Sequence, residues 1–220
     1  PKSKSRGEYV ADFAETLCKI TKDSVAGHAG DALVFRPWQR ELTKALFAEG
    51  KDGKLKHRLA LIGLPRKNGK SAWLSAVALE SLVLGAQGGE IYSCAADKEQ
   101  AKIVFNTAKE MIRLQPELSD FLEVYKDSIY NPKTGSVYRV LSAEAFTKEG
   151  LNPTLVCFDE LHAQPNRELF DVMSLAMGAR IEPMLVAITT AGVKTDSSGK
   201  DSICFSLYEY GKKVASGEVK

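Results

Sequence analysis

Apolar residues recur at helical spacing in six segments of the sequence. This spacing predicts helices at 9–20, from Pro37 to about 47, at 70–84, at 98–113, around 167–177 and at 202–214. In segment 70–84 the apolar residues nearly encircle the helix, which indicates an interior position. Pro37 suits the first turn of its helix, because the N–H that proline lacks would have no partner there.

Short apolar runs between these helices predict strands. They lie at 58–64, 90–95, 154–158 and 184–189, and their continuous apolar character is typical of strands buried on both faces. Segments 128–130 and 136–141 predict a hairpin with a longer turn. Strands that alternate with helices form a mostly parallel sheet flanked by helices, with ligands at the carboxyl ends of the strands. We therefore predict an α/β domain over 35–220, preceded by a helical N-terminal appendage over 1–34.

The composition is that of a globular protein. The chain has 220 residues, 44% hydrophobic and 26% charged, which excludes a disordered or collagen-like chain. With 30 Lys and Arg against 28 Asp and Glu, the formal charge is +2. A protein that binds nucleic acid nonspecifically over its whole surface needs many more basic than acidic residues, so this balance argues against such a protein. It still allows a local basic patch.

The pattern of cysteines and of apolar residues indicates in which cellular compartment the protein is expected. The four cysteines are widely spaced and form no C-x-x-C pair, so they predict neither a zinc cluster nor a disulfide framework. No stretch approaches the ~20 apolar residues of a membrane span, and the first residues lack the apolar core of a signal peptide. We expect an intracellular protein with no membrane association.

A candidate phosphate-binding loop lies between the strand at 58–64 and the helix at 70–84. Its sequence, Leu64-Pro-Arg-Lys-Asn-Gly-Lys-Ser71, is close to the pattern G-x-x-x-x-G-K-[ST], although the first glycine position holds Leu64. Gly69 lets the backbone approach a phosphate, Lys70 reaches the β and γ phosphates, and the Ser71 hydroxyl can bind Mg²⁺. A surface turn with an exposed lysine is the alternative.

Two carboxylates follow the strand at 154–158. Asp159 and Glu160 would reach the carboxyl edge of the sheet, where the phosphates are expected. In a nucleoside triphosphatase Asp159 would hold Mg²⁺, and Glu160 would orient and polarise the attacking water. A strand that simply ends in a polar loop is the alternative for this segment. His162 follows the acids, but a lone histidine is more often a packing or hydrogen-bonding residue than a catalyst.

Together these segments resemble a known family. The sequence from Phe35 to Gly192 is similar to the ATPase domain of the large terminase subunit, the DNA-packaging motor of tailed bacteriophages such as HK97. The segments that carry the resemblance are Phe35-Arg-Pro-Trp-Gln39, Pro65-Arg-Lys-Asn-Gly-Lys-Ser71, Ala95-Ala-Asp-Lys-Glu-Gln-Ala101, Asp159-Glu-Leu-His162 and Ile188-Thr-Thr-Ala-Gly192. A missing first glycine in the phosphate loop is usual in that family. The resemblance implies a P-loop NTPase fold of the ASCE type.

The resemblance also implies roles for individual residues. Gln39 resembles the glutamine that recognises adenine, since its amide can both donate to and accept from the base edge. Arg66 resembles the loop arginine that senses the γ-phosphate, and Lys67 and Asn68 complete the nucleotide-binding loop. Thr190 belongs to a segment that resembles the coupling motif, in which a hydroxyl senses the γ-phosphate or the attacking water.

Partners follow from the same resemblance. It implies ATP and Mg²⁺ as cofactors and double-stranded DNA as a partner. It also implies a homo-oligomeric ring, a pentamer, that works with a portal protein and a small terminase subunit in the host cytoplasm. In such rings a neighbouring subunit supplies an arginine to the transferring phosphoryl group, and Arg180 and Arg167 are the candidates, with Arg139 third.

Other functions stay open on sequence grounds. A helicase-like or remodelling ATPase would share the P-loop but would carry a second motor domain or a helicase arginine motif, and neither is visible. A nucleotide-gated switch would bind without turnover. Large terminases also share a second domain, a nuclease of the RNase H type. Apart from Asp159 and Glu160 the sequence has no well-placed carboxylate cluster, so we expect no DNA cleavage by this chain.

Overall fold

The computed structural model describes residues 4–142, 150–190, 192–196 and 199–219. Over these residues the chain forms one seven-stranded sheet with helices on its faces. The strands are β1 (Leu59–Gly63), β2 (Glu90–Ala95), β3 (Glu123–Val124), β4 (Ser128–Asn131), β5 (Ser136–Ser142), β6 (Leu155–Phe158) and β7 (Met184–Thr189). The α-helices are α1 (Arg6–Leu17), α2 (Pro37–Leu46), α3 (Lys70–Leu84), α4 (Lys98–Leu114), α5 (Pro116–Ser119), α6 (Glu168–Ala176) and α7 (Ile203–Ala215). Short 3-10 turns form at Leu161–Ala163 and Met177–Ala179.

The sheet confirms the predicted mixture of parallel and hairpin strands. Its order is β1-β7-β6-β2-β5-β4-β3, with parallel pairing from β1 through β5 and antiparallel pairing from β5 to β3. One strand, β7, lies between the strand that precedes the phosphate loop and the strand that precedes the acids.

Both faces of the central strands are buried, as their apolar sequences predict. Along β6, Cys157 packs into the core that contains α3 and α4, while Val156 and Phe158 pack into the core that contains α6 and α7. Successive residues of a strand point to opposite faces, so a strand covered on both faces needs apolar residues at every position. Helices therefore enclose the sheet from both sides.

Helix α1 belongs to the same core as the helices that follow it. Ser5 and Glu8 form a capping box at its start, in which each side chain accepts from the other residue's backbone N–H. Val10 and Phe13 are buried in the core with α2 and α3, and Arg40 on α2 forms ion pairs with acids of α1. The helical part of the predicted appendage thus packs against the rest of the chain.

Most element boundaries match the sequence-based predictions within a few residues. Helix α3 begins at Lys70, and β2 and β7 have the predicted bounds. The short elements α5 and β3 carry too few residues to show a periodicity and were not expected. No described helix combines the length and the apolar character that crossing a membrane requires.

Candidate active site

The predicted loop, acids and coupling segment meet at one edge of the sheet. Because β1, β7 and β6 are parallel neighbours, their carboxyl ends lie side by side. The backbone N–H of Leu64, at the start of the loop, donates to the carbonyl of Thr189 at 3.0 Å. This bond joins the phosphate loop directly to the end of the coupling strand.

The loop is held by its own side chains and by unusual backbone angles. Asn68 Nδ2 donates to the carbonyl oxygens of Pro65 and Arg66 at 3.2 and 3.4 Å. Lys67 and Gly69 both have left-handed backbone conformations, with φ of 65° and 72°. A left-handed conformation is strained for lysine, and such strain is often found in loops that bind ligands. The side chains of Arg66 and Lys67 are exposed.

The start of α3 provides an anion-binding geometry. Gly69 is the N-cap and has no side chain to accept from the first N–H groups of the helix. These N–H groups and the helix dipole favour a negative charge at this point. Lys70 and Ser71 occupy the first turn; the Lys70 side chain is only 7% exposed and Ser71 is partly buried.

Lys70 and Glu160 form an ion pair across this edge. Lys70 Nζ lies 3.0 Å from Glu160 Oε1. The other oxygen, Oε2, accepts from the N–H and the hydroxyl of Thr190 at 3.2 and 3.3 Å. Glu160 has a left-handed backbone with φ of 48°, which directs the chain into the 3-10 turn that follows. Three predicted site residues from three segments are thus joined by hydrogen bonds, namely Lys70, Glu160 and Thr190, and Asp159 directly precedes Glu160.

The charges around Glu160 favour its ionised form. Burial acts to raise the pKa of this carboxyl, but the hydrogen bond and the charge of Lys70 outweigh it, so the pKa lies below its ordinary value. The N–H of Thr190 acts in the same direction. Glu160 is therefore a carboxylate at neutral pH and can accept a hydrogen bond.

The carboxyl group of Asp159 lies in a different environment from that of Glu160. Its side chain is buried, and Oδ1 has no hydrogen-bond partner. Burial, and then the charge of Glu160, raise the pKa of Asp159 to about 6. An ionised carboxylate without a partner in such a setting is costly unless a cation lies close by. Among the described residues no group of three or more metal-ligating side chains occurs, so a Mg²⁺ ion here would take most of its ligands from water and phosphate, as this ion commonly does.

The sequence reasoning missed a contact of His162 with the acids. His162 Nδ1 lies 3.2 Å from Glu160 Oε2 and 2.9 Å from the hydroxyl of Thr189. The sequence shows His162 only as a single histidine near the acids. The contact depends on the 3-10 turn at Leu161–Ala163, which brings the ring back to the carboxylate.

Gln39 lies beside the phosphate loop. A Cβ added at Gly69 would be 3.4 Å from Gln39 Nε2, and the Gln39 side chain is buried. Its Oε1 accepts from the N–H of Arg36 at 2.8 Å, which fixes the amide at the start of α2. The buried indole N–H of Trp73 donates to Thr43 and ties α2 to α3.

The two arginines predicted to act in a neighbouring subunit lie at opposite edges of the sheet. Arg180 donates to the carbonyls of Asn152 and Gly88, which precede β6 and β2 at the amino ends of the strands. Arg167 lies after the acidic segment, is 49% exposed and pairs with Asp171 one helical turn along. Of the two, Arg167 lies on the side of Glu160, because it lines a cavity together with Leu161 and His162. Ala191, within the coupling segment, lies outside the described residues.

Comparison with protein families gives one clear match. A family model described as the ATPase domain of the terminase large subunit matches residues 37–213. The large terminase subunit of Enterobacteria phage HK97 is 30% identical over 192 residues, which cover 84% of this chain and 37% of that protein. The chain thus spans well under half the length of this relative.

Solved structures agree with the sequence match. The crystal structure of the HK97 large terminase superposes with a TM-score of 0.79 at 28% identity, covering 97% of this chain and 42% of that one. The large terminase of a thermophilic bacteriophage, solved in complex with ADP, superposes with a TM-score of 0.52 at 11% identity, covering 70% and 39%. The second match concerns the fold alone.

Proposed function

The chain belongs to the family of terminase large subunit ATPase domains, and from this membership we propose that it hydrolyses ATP with Mg²⁺ to drive double-stranded DNA into a viral procapsid. The motor domain would span 35–220. One observation carries the chemistry: Lys70 and Glu160, from two separate motifs, lie 3.0 Å apart at the carboxyl edge of the sheet. A surface turn with a solvated lysine does not account for a buried lysine paired with that carboxylate.

Nucleotide binding would use the loop and α2. The free N–H groups at the start of α3 donate to phosphate oxygens, and Lys70 supplies a positive charge to the β and γ phosphates. Arg66 lies exposed in the loop, where its guanidinium can reach the γ-phosphate. Gln39 Nε2, next to Gly69, donates to the adenine edge. Membership of the terminase ATPase family supports a nucleotide as the ligand.

Asp159 and Ser71 would hold Mg²⁺. The unpartnered Oδ1 of Asp159 fits this role, since an ionised carboxylate at that position lacks a donor. The ion, when bound, neutralises charge on the phosphate oxygens. Asp159 must be ionised to bind the ion. Because its pKa is raised to about 6, binding of Mg²⁺ would be accompanied by loss of the Asp159 proton at or below that pH.

Hydrolysis would depend on an exchange of partners at Lys70. A γ-phosphate oxygen competes with Glu160 for the Lys70 ammonium, and this competition frees Oε1 of Glu160. Oε1 then accepts a hydrogen bond from the attacking water and orients its oxygen toward the γ-phosphorus, in line with the leaving β-phosphate oxygen. Thr190, directly after the adjacent strand β7, keeps Oε2 in place through its N–H and hydroxyl.

The protein would assemble into a homo-oligomeric ring, a pentamer. A neighbouring subunit would add an arginine to the transferring phosphoryl group, and Arg167 is the better candidate because it is exposed near the active edge. The ring would work with a portal protein and a small terminase subunit in the host cytoplasm. Its DNA contacts would be shared among several subunits, which is compatible with a charge of only +2 per chain.

Steady-state phosphate release tests the proposal. The rate is measured with ATP and Mg²⁺ over a wide range of protein concentration, with and without double-stranded DNA. We expect Mg²⁺-dependent release that rises more than linearly with protein concentration. ATP binding without release under all these conditions would instead identify a nucleotide-gated switch.

A further inference from the structure

We propose that His162 is a positioning residue for hydrolysis, which holds the carboxylate of Glu160 and connects it to strand β7. This inference rests on the proposed function, since it concerns how Glu160 is presented to water. Among the described residues, the polar contacts of the His162 ring are with Glu160 and Thr189, so it acts through these residues and not through the nucleotide.

The imidazole bridges the two neighbouring strand ends. Nδ1 lies 3.2 Å from Glu160 Oε2 and 2.9 Å from Thr189 Oγ1. Glu160 follows β6, and Thr189 is the last residue of β7. The ring is partly buried, with 27% of its side chain exposed, so these bonds are partly shielded from water.

The acceptors around Nδ1 place a ring proton on this nitrogen. Glu160 Oε2, 3.2 Å from Nδ1, belongs to a carboxylate and can only accept. The hydroxyl of Thr189, 2.9 Å from Nδ1, can accept from the ring and donate its own proton to the carbonyl of Thr190 at 3.0 Å. With this tautomer, one ring N–H lies between the carboxylate and β7.

This arrangement divides the two oxygens of Glu160 between two tasks. Oε2 accepts from the N–H and hydroxyl of Thr190, and His162 Nδ1 lies 3.2 Å from the same oxygen, as an ion pair when the ring is protonated. Oε1 has Lys70 as its partner. When Lys70 turns to a phosphate, Oε2 stays fixed and Oε1 alone becomes available. His162 therefore helps Thr190 to hold Oε2, which leaves Oε1 as the oxygen that meets the water.

The coupling segment is shaped around the histidine. A Cβ added at Gly192 would lie 3.1 Å from the Cβ of His162, which is tighter than nearly all real contacts of this kind. Thr189 bonds the ring, and Thr190 bonds the same carboxylate oxygen as the ring does. Thr189 and Thr190 thus contact His162 or its partner, and a side chain at position 192 would crowd the ring, so these contacts link Glu160 to the end of β7.

Two amide substitutions test whether a donor at the position of Nδ1 is required or whether any polar side chain is sufficient. In His162→Asn the amide nitrogen can occupy nearly the position of Nδ1, whereas in His162→Gln it lies nearer the position of Nε2. His162→Phe keeps the ring and removes both nitrogens. We expect the Asn variant to retain most of the wild-type kcat. The Gln and Phe variants should lose about ten- to a hundredfold in kcat, as expected for a lost hydrogen bond to a charged group.

The experiment measures kcat, KM and nucleotide affinity for the three variants, wild type and Glu160→Gln. KM and the affinity for a fluorescent ATP analogue should be unchanged, because no nucleotide contact is altered. Equal kcat for wild type and the Gln variant, or equal loss in the Asn and Gln variants, would overturn the inference. Amide variants that do not fold would also overturn it, because the role would then be structural. Absence of hydrolysis by wild type would instead refute the proposed function.

Discussion

The ammonium of Lys70 lies 3.0 Å from Oε1 of Glu160, so the cation of the phosphate loop and the carboxylate of the neighbouring acidic segment neutralise each other. Glu160 competes with phosphate for Lys70, and Lys70 competes with water for Glu160. A phosphate that takes Lys70 frees Glu160 for water, so substrate binding and activation of the base become one event. The pair also holds the pKa of Glu160 below its ordinary value despite burial.

Removing Lys70 should weaken ATP binding and abolish hydrolysis. Lys70→Ala deletes a charged donor to phosphate, so we expect ATP affinity to fall about ten- to a hundredfold. Equilibrium binding of a fluorescent ATP analogue measures this. Lys44→Ala, at a more exposed lysine on α2 that pairs with Glu41, is the matched control and should bind as wild type does. Unchanged affinity in Lys70→Ala would show that the loop does not contact the phosphates.

Gln39 should set the preference for adenine. Gln39→Glu keeps an oxygen to accept from the N–H of Arg36, so helix α2 retains its start. It replaces the amide Nε2 beside Gly69 with a second acceptor. We expect KM for ATP to rise about fivefold or more, since one hydrogen bond is lost; the melting temperature, measured in parallel, shows how far the added buried carboxylate destabilises the fold. A variant with unchanged KM and unchanged ATP-over-GTP preference would remove Gln39 from the base site.

Arg167 should act in a neighbouring subunit. Arg167→Ala and Glu160→Gln are each expected to be inactive, but for different reasons. In a mixed ring, a Glu160→Gln subunit can supply its arginine to an Arg167→Ala subunit that has an intact base. An equimolar mixture should therefore recover part of the wild-type phosphate release. No recovery, with both variants folded and assembled, would exclude this arginine.

Arg180 should contribute to stability instead. Its guanidinium donates to two backbone carbonyls at the amino ends of the strands, far from the loop in the sheet. Arg180→Ala leaves these acceptors without a partner, so the free energy of unfolding should fall by about 1–3 kcal/mol. Chemical denaturation measures the change. An unchanged free energy of unfolding together with lost ATP turnover would reassign Arg180 to catalysis.

Glu80 should make stability depend on pH. This residue of α3 lines a cavity of about 650 Å³ together with Arg6 and Arg180. Burial raises the pKa of its carboxyl to about 7, although the charge of Arg6 acts in the opposite direction. The folded state then binds the proton more tightly than the unfolded state. Its contribution to stability is present below the unfolded pKa of about 4.5 and is lost as pH rises to about 7.

Glu80→Gln should therefore stabilise the protein at pH 8 by about 1–3 kcal/mol and change little at pH 4. Denaturation curves at the two pH values measure this difference. Glu99→Gln, at an exposed carboxylate on α4, is the matched control. An equal effect of Glu80→Gln at both pH values would contradict the pH dependence.

The sequence predicts those features that depend on local patterns. Helix α3 begins at Lys70 because a glycine and an apolar run mark its start, and β6 precedes Asp159 because its residues are all apolar. The hairpin of β4 and β5 likewise follows from its turn residues. Such features are set by neighbours in the sequence, so periodicity and turn chemistry are sufficient to find them.

Features that depend on the assembled sheet are not visible in the same way. Nothing local shows that β7 lies between β1 and β6, and this order is what brings Thr190 to Glu160. The contact of His162 with that carboxylate needs a left-handed Glu160 and a 3-10 turn, which no periodicity indicates. The opposite locations of Arg167 and Arg180 also follow only from the topology.

The central claim is that this site hydrolyses ATP with Glu160 as the residue that aligns water. It is tested most directly by phosphate release from saturating ATP and Mg²⁺ in wild type, Glu160→Gln and the control Glu99→Gln, with ATP affinity measured in parallel. We expect Glu160→Gln to bind ATP as tightly as wild type or more tightly, because glutamine competes less for Lys70. Its phosphate release should fall by about a hundred- to ten-thousandfold, the range for loss of a general base, while Glu99→Gln stays active. Wild-type turnover in folded Glu160→Gln would contradict the account.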